Sequence, residues 1–437
     1  MTRPNVLILL ADDMGWGDVS YHGSDIRTPN IDRLAATGVE LDQHLVCPMC
    51  TPTRACLLTG RHPGRFGRHA TVPSNPPVLP DGYETLAGML RNGGYETGLF
   101  GKWHLGSDPR YNPTQFGFDT GYGSLAGGID PYTHRYKSGP HSITWHRDGE
   151  LVDERGHATD LIVGEAIRWI EDRRKPWFCY VPFTAVHTPV RAPQHWIDSY
   201  DDRQYDLDPA CDRSFKTYAA YASQMDFAIG QLVECLARID QLDNTIVIFA
   251  SDNGSIPSDP LHDTDKYPGW HEEMPRLGSN LPLRGKKSQL YEGGIRTPAL
   301  ISWPSHLAAS KLTAPIHVTD WMPTLSNLLG CPPSSEPHWD GTDIWPLISG
   351  QADRIRRKPF FWNFRGNCFG ARDGDVKLIA WESTAPEDCE LYNLAADPYE
   401  TTDLAADRPE TVHRLLEVIA EERKLDDSSK RPDVDIN

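Results

Sequence analysis

Carboxylates, an amide, lysines and histidines gather where apolar runs of this chain end. Asp12-Asp13 follows the run 6–11, and Ser251-Asp252-Asn253-Gly254 closes the run 245–250. Two adjacent carboxylates repel each other and are costly to bury without a cation. Two such strand ends, with an amide oxygen added, make a hard-oxygen site suited to calcium or magnesium. Taken singly, each tetrapeptide reads as a turn; the joint occurrence with the Cys50 segment argues for a site. In that segment, Cys50-Thr51-Pro52-Thr53-Arg54, Pro52 fits the first turn of a helix, which places Cys50 at a helix N-terminus. Free N–H groups and the helix dipole favour an anion there. Lys102 and His104 follow the run 96–100, two residues apart, so both can point at one anion. His187 follows the run 177–183, and Lys286-Lys287 lies in Leu283-Arg284-Gly285-Lys286-Lys287-Ser288. In isolation these three segments read as a solvated loop, a satisfied loop histidine and a basic surface loop.

The elements that must position these groups are legible in outline. Strand-like runs at 6–11, 96–100, 177–183, 245–251 and 299–303 alternate with helical patterns at 30–37, 158–170, 214–239 and 322–329. That alternation predicts an α/β sheet with helices on both faces, and ligands in such sheets gather beyond the carboxyl ends of the strands. Ala219, Met225, Ile229, Leu232 and Leu236 fall on one face of the longest helix. Past residue 345 the pattern changes to short strands at 360–364, 368–372, 376–380 and 390–392 and a helix at 409–422. This divides the chain into a catalytic domain, 1–345, and a smaller antiparallel sheet-plus-helix subdomain, 346–437, with a polar tail from 424 expected to fray.

Composition narrows the function classes. The chain has 437 residues, 39% hydrophobic and 24% charged, and a formal net charge of -18. Duplex nucleic acid is not an expected partner, since phosphate binding needs a basic surface. The opening apolar run is too short to span a bilayer and has no small-residue cleavage site after it, so it reads as a buried strand. No membrane partner is expected. The sequence as given reads as bacterial and cytoplasmic, or periplasmic or secreted had a signal been removed. Nine cysteines form no even framework and are expected to be reduced and mostly buried. Cys47 and Cys50 make a C-x-x-C, but no second one exists to complete a zinc site.

The run Cys50-Thr51-Pro52-Thr53-Arg54-Ala55-Cys56-Leu57-Leu58-Thr59-Gly60-Arg61 resembles the signature of the type I sulfatases. Gly101-Lys102-Trp103-His104-Leu105-Gly106, Val186-His187-Thr188-Pro189 and Tyr291-Glu292-Gly293-Gly294-Ile295-Arg296 resemble sulfatase segments in the same order, and the likeness spans residues 5–404. Segments 26–32, 127–134 and 280–285 look most like the N-acetylgalactosamine-4-sulfatase, or arylsulfatase B-like, branch. The resemblance implies an alkaline-phosphatase-like mixed sheet sandwiched by helices. It implies that Cys50 is oxidised to formylglycine by a maturation enzyme, a step that a Cys47–Cys50 disulfide would block. Asp12, Asp13, Asp252 and Asn253, with the Cys50 position, match the metal ligands, calcium being the usual ion and magnesium an alternative. Arg54 would hold the aldehyde hydrate, Lys102 a sulfate oxygen, and His187 and Lys287 the sulfate and the leaving oxygen. His104 would be the base that regenerates the aldehyde.

The implied activity is hydrolysis of a sulfate ester, on a sulfated saccharide or an aryl sulfate, with release of inorganic sulfate. A phosphate or phosphonate ester hydrolase on the same scaffold, or a non-catalytic binder of sulfated glycans, are the alternatives. Two departures from the family pattern stand out: Thr53 where Ser is commoner, and Lys286 where many relatives have Gly. Trp103, Tyr132, His134, Trp145 and Trp270 are candidates for stacking on sugar faces.

Overall fold

Strand Asn5–Ala11 is buried along its whole length and lies inside a ten-stranded mixed sheet of the computed structural model, which describes residues 3–136, 142–259 and 273–427. In spatial order the sheet runs Ser310–Leu312, Val39–Leu41, Ala299–Ser302, Thr245–Ser251, Asn5–Ala11, Trp177–Pro182, Glu96–Lys102, Thr120–Ser124, Trp145–Arg147 and Glu150–Leu151. The five from Thr245–Ser251 to Thr120–Ser124 are parallel neighbours, so their carboxyl ends share one edge. Parallel strands covered on both faces read as unbroken apolar runs. Side chains alternate accordingly: Val6, Ile8 and Leu10 enter one core with the apolar side of the Cys50 helix, and Leu7, Leu9 and Ala11 enter the other.

All five expected strands and four expected helices are present, with ends that move by a few residues. The longest helix, Pro209–Arg238, begins five residues earlier than its apolar pattern. Asp208 explains this: its side chain accepts from the N–H groups of Ala210 (2.8 Å) and Cys211 (3.1 Å), and Pro209 occupies the first helical position. All five residues of its predicted face are buried. Strand Glu96–Lys102 runs two residues past the expected end. Gly101 permits this at φ 137°, because a Cβ there would sit 1.9 Å from the Pro182 carbonyl oxygen. Lys102 therefore belongs to a strand end and not, as expected, to the following loop.

The C-terminal sheet comprises Phe360–Phe364, Cys368–Asp373, Val376–Trp381 and Cys389–Asn393, all antiparallel. One face packs Trp362, Ile379 and Tyr392 against Leu290 and Ile295; the other packs Phe361, Leu378 and Leu391 against helix Pro409–Arg423 through Val412, Leu415 and Ile419. The nine cysteines are free thiols, and Cys47 pairs with neither cysteine: its sulfur lies 3.6 Å from that of Cys56. Among the described residues, no helix is long and apolar enough to cross a membrane.

Two ionic ties join the subdomain to the large sheet's loops. Fully buried Lys377 donates to Glu292 Oε1 (2.9 Å) and Glu400 Oε1 (2.8 Å), while Glu400 Oε2 accepts from the Glu292 N–H at 2.7 Å. Arg65, just past the Cys50 helix, binds Asp340 (3.1 Å), Asp426 (2.7 Å) and Glu422. Removing one partner of such a buried group strands the others' charge. Lys377→Met should therefore lower the unfolding free energy by about 3–5 kcal/mol in a denaturant titration; a loss within the error of wild type would contradict the assignment of this tie.

Candidate active site

The register of the parallel strands brings the polar groups together. Ala11 pairs with Ser251, so the next residues, Asp12 and Asp252, emerge side by side. The Asp13 N–H donates to Asp252 Oδ1 (3.2 Å), and Asn253 Nδ2 donates to Asp13 Oδ1 (2.8 Å). Asp12, Asp252 and Asn253 are wholly inaccessible, and Asp13 is nearly so.

Three cations meet these carboxylates, each from a different element. Arg54, on helix Cys50–Thr59, donates to Asp252 Oδ2 through Nε (3.1 Å) and Nη2 (2.8 Å), and through Nη1 to the Lys102 carbonyl (2.8 Å). Lys102 Nζ lies 2.6 Å from Asp12 Oδ2, and Lys287 Nζ 2.7 Å from a carboxylate oxygen of Asp13. Burial pushes the Asp12 carboxyl up to about 8 despite Lys102. Burial acts the same way on Asp13, but Lys287 and His187 outweigh it and hold that carboxyl below its usual range.

A divalent cation fits this donor set. Asp12 Oδ1 and Asn253 Oδ1 are buried oxygens without a hydrogen-bond partner, a costly state unless something else binds them. Ligand atoms of Asp12, Cys50 and Asp252 lie within 4.8 Å of one another, as do those of Asp12, Asp13 and His187. Oxygen donors dominate, as hard cations require.

Cys50 is the first residue of its helix, as the position of Pro52 predicted. The chain entering it is pinned: the Val46 carbonyl accepts from Trp362 Nε1 (2.9 Å), and the Pro48 carbonyl from the Ser288 N–H (2.9 Å). The Thr53 hydroxyl accepts from the Cys47 N–H (3.0 Å) and donates to its carbonyl (3.1 Å), so the hydroxyl shared by Thr and Ser is in use. Burial raises the Cys50 thiol above its ordinary value, although Lys102 and Lys287 pull the other way. An unmodified thiol here is a poor source of thiolate.

His104 and His187 face the same space. His104 is buried at φ 56°, its ring against Gly127, where a Cβ would lie 2.1 Å from Nε2. Burial, with Lys102 and Arg54 adding to it, lowers its pKa well below the usual value. His187 Nδ1 donates to the Thr188 carbonyl (2.5 Å), which leaves Nε2 directed at Asp13 Oδ2, 3.7 Å away. Asp13 also holds a left-handed backbone, φ 64°, a strain that active sites commonly store. Cys50, His104, His187, Lys286 and Lys287 line one cavity of about 400 Å³, within the ordinary size of a small-ligand site. Three larger cavities, of about 710, 570 and 430 Å³, are lined by none of Cys50, His104 and His187, so volume alone does not mark the chemistry.

Every residue singled out at strand and helix ends thus reaches one cluster. The aromatic candidates fare differently: Trp103, His134 and Trp145 are buried, the last two stacked on each other with ring centroids 4.4 Å apart, and cannot meet a sugar face. Tyr132 is exposed, and Trp270 lies outside the described residues. The Ser251 hydroxyl, which accepts from the Met14 N–H (3.0 Å) and so shapes the Asp12-Asp13 turn, was not singled out as more than part of a turn.

Comparison with known proteins agrees with this geometry. The family model described as Sulfatase matches residues 4–331, and the model described as N-sulphoglucosamine sulphohydrolase, C-terminal, matches 286–424. Arylsulfatase J of Mus musculus is 31% identical, over 97% of this chain and 76% of its own length. N-acetylgalactosamine-6-sulfatase of Homo sapiens is 32% identical, over 87% of this chain and 72% of its own. Among solved structures, Ps i-CgsB superposes with a TM-score of 0.84 at 28% identity, covering 98% of this chain and 94% of that one; it was also solved in complex with k-i-k-neocarrahexaose. The 6-sulfatase match replaces the 4-sulfatase branch expected from segments 26–32, 127–134 and 280–285. With its strand-end carboxylates, helix-borne cysteine and matching models across nearly the whole described chain, the protein belongs to the sulfatase family and is a sulfuric ester hydrolase.

Proposed function

We propose that this enzyme removes sulfate from a saccharide, using a formylglycine derived from Cys50 and a calcium ion held by Asp12, Asp13, Asp252 and Asn253. The observation that carries the reading is the pair of buried oxygens, Asp12 Oδ1 and Asn253 Oδ1, that lack a hydrogen-bond partner among the described residues and lie beside a buried Cys50. Sulfatases in general work with a metal and a formylglycine, and a relative named for N-acetylgalactosamine and another solved with an oligosaccharide favour a sugar substrate. Oxygen-only ligands favour calcium over softer metals. The maturation enzyme is a required partner, and the compartment follows wherever that enzyme acts on this chain.

The chain's own residues then take these parts. Cys50, once oxidised, carries the hydroxyl that attacks sulfur from the base of the cavity. The cation would supply Lewis-acid stabilisation of oxygen charge at that point. Lys102 and Lys287, both within reach of the carboxylates that would bind the cation, hold sulfate oxygens. Arg54, fixed by Asp252 and the Lys102 carbonyl, orients the group at position 50. His187 Nε2 gives its proton to the departing alcohol, with Asp13 nearby to favour the protonated ring. His104, kept neutral by burial, takes a proton from the second hydroxyl so that sulfate is expelled. Overall, ester and water give alcohol, sulfate and a proton.

Three outcomes test this. Matured wild type should release sulfate from a sulfated galactosamine, with mass spectrometry showing the Cys50 thiol replaced by an aldehyde; Cys50→Ala should lose turnover while its thermal unfolding stays cooperative. Substantial hydrolysis by that variant would rule the nucleophile out. Second, calcium added to chelator-treated protein should raise Tm in a concentration-dependent way, and Asp252→Ala should abolish the increment; a Tm indifferent to calcium would remove the ion. Third, the depressed pKa of His104 keeps its base form present below pH 6.5. The acid limb of kcat should therefore fall below pH 6.5, and a limb centred at 7 or above would assign the base elsewhere.

A further inference from the structure

Lys286 is the cation of this cavity that the mechanism leaves unused. Its neighbour Lys287 turns inward to Asp13 and is nearly buried, whereas Lys286 is exposed and lines the same cavity as Cys50 and His187. Arg54, Lys102 and Lys287 each sit on a carboxylate. Among the described residues, the Lys286 ammonium has no ion-pair partner.

Its backbone is nonetheless held. The Lys286 N–H donates to Gln289 Oε1 (3.1 Å), and its carbonyl accepts from the Gln289 N–H (3.0 Å). A tight turn therefore fixes the root of the side chain at the cavity wall. Ser288, in the same lining, spends its hydroxyl on Met49 Sδ (3.0 Å). A thioether is a weak acceptor, so that hydroxyl is cheaply redirected to a better one. The lining also contains one carboxylate, that of Asp259.

A free cation at the mouth runs against the charge of the molecule, -18 overall. That charge opposes substrates with several anionic groups at long range, and screening confines the opposition to about 8–10 Å. Lys286 and Lys287 line the same cavity, so a saccharide whose sulfate ester reaches Lys287 occupies space that Lys286 also borders.

We infer that Lys286, with the Ser288 hydroxyl, forms a subsite for a second oxyanion of the substrate, a carboxylate or a further sulfate set next to the ester that is cleaved. The subsite selects doubly anionic saccharides over singly sulfated neutral ones. This rests on the saccharide sulfatase reading above.

The test compares matured wild type, Lys286→Ala and Lys286→Arg on three saccharides: one singly sulfated and neutral elsewhere, one with an adjacent uronate carboxylate, and one with a second sulfate. Lys286→Ala should lower kcat/KM on a doubly anionic saccharide by about 10-fold, through KM, and change the neutral one by less than about twofold; Lys286→Arg should retain most of the preference. Which of the two doubly anionic saccharides suffers the loss identifies the second group. Equal losses on all three, or none on any, overturn the subsite. Calorimetric binding of the same saccharides to Cys50→Ala, with and without Lys286→Ala, reads the preference without turnover. Selective weakening there with no hydrolysis by wild type would overturn the catalytic reading and leave the subsite standing; no selective weakening overturns the subsite.

Discussion

Three carboxylates buried within one cluster are the constraint around which this protein is built. Desolvated charges of like sign cost several kcal/mol each unless paired, and here the pairing comes from a helix (Arg54), a strand end (Lys102) and a distant turn (Lys287). No one of these elements can satisfy the cluster, so the site forms only when the sheet, the Cys50 helix and the 283–289 turn are all in place. Counted as fully ionised, the three carboxylates balance the three cations. A divalent ion shifts that balance to net positive and competes for the oxygens that hold the lysines. An ion held there would make the pocket attractive to a sulfate ester and leave Lys102 and Lys287 available to hold it.

The C-terminal subdomain matters to this balance although it contributes no group to the cluster. The turn that carries Lys287 is closed by the Gly293 N–H on the Arg284 carbonyl (2.7 Å), and Arg284 in turn donates to the Glu400 carbonyl (2.7 Å) and to the Tyr392 hydroxyl (2.9 Å). Glu292, a few residues on, is held by Lys377 and Glu400. Trp362 anchors the approach to Cys50 from the same sheet. The small sheet is therefore a clamp on the nucleophile's entry strand and on the turn that carries Lys286 and Lys287.

Much of this was legible in the sequence, for reasons that also mark its limits. Buried parallel strands such as Asn5–Ala11 and Thr245–Ser251 read as apolar runs, and the polar residues that follow them are the proposed ligand set. Thr120–Ser124, by contrast, alternates glycine with polar residues; pairing with Glu96–Lys102 on one side and Trp145–Arg147 on the other makes it a strand. Val39–Leu41 and His44–Leu45 are too short to show a period. Lys287 carried no signal of burial in its own segment, because its burial comes from Asp13, far away in the chain. Trp103 and Trp145 read as loop aromatics because they stand among polar residues, yet each is buried in one of the two hydrophobic cores.

The burial of Cys50 gives a physical reason for the kind of nucleophile this architecture can use. At a helix N-terminus beside two lysines, a thiol would ordinarily be driven toward thiolate. Desolvation, and the Asp252 and Asp12 carboxylates beside it, act in the opposite direction, and the thiol ends above its ordinary pKa. An aldehyde hydrate carries no charge before it reacts, so it tolerates the same dry surroundings. Negative charge would develop on it only as it attacks, where Arg54 and the lysines are gathered and the proposed cation would sit. The arrangement thus disfavours a pre-formed anion and favours one generated in the transition state, which is the condition under which binding energy becomes rate.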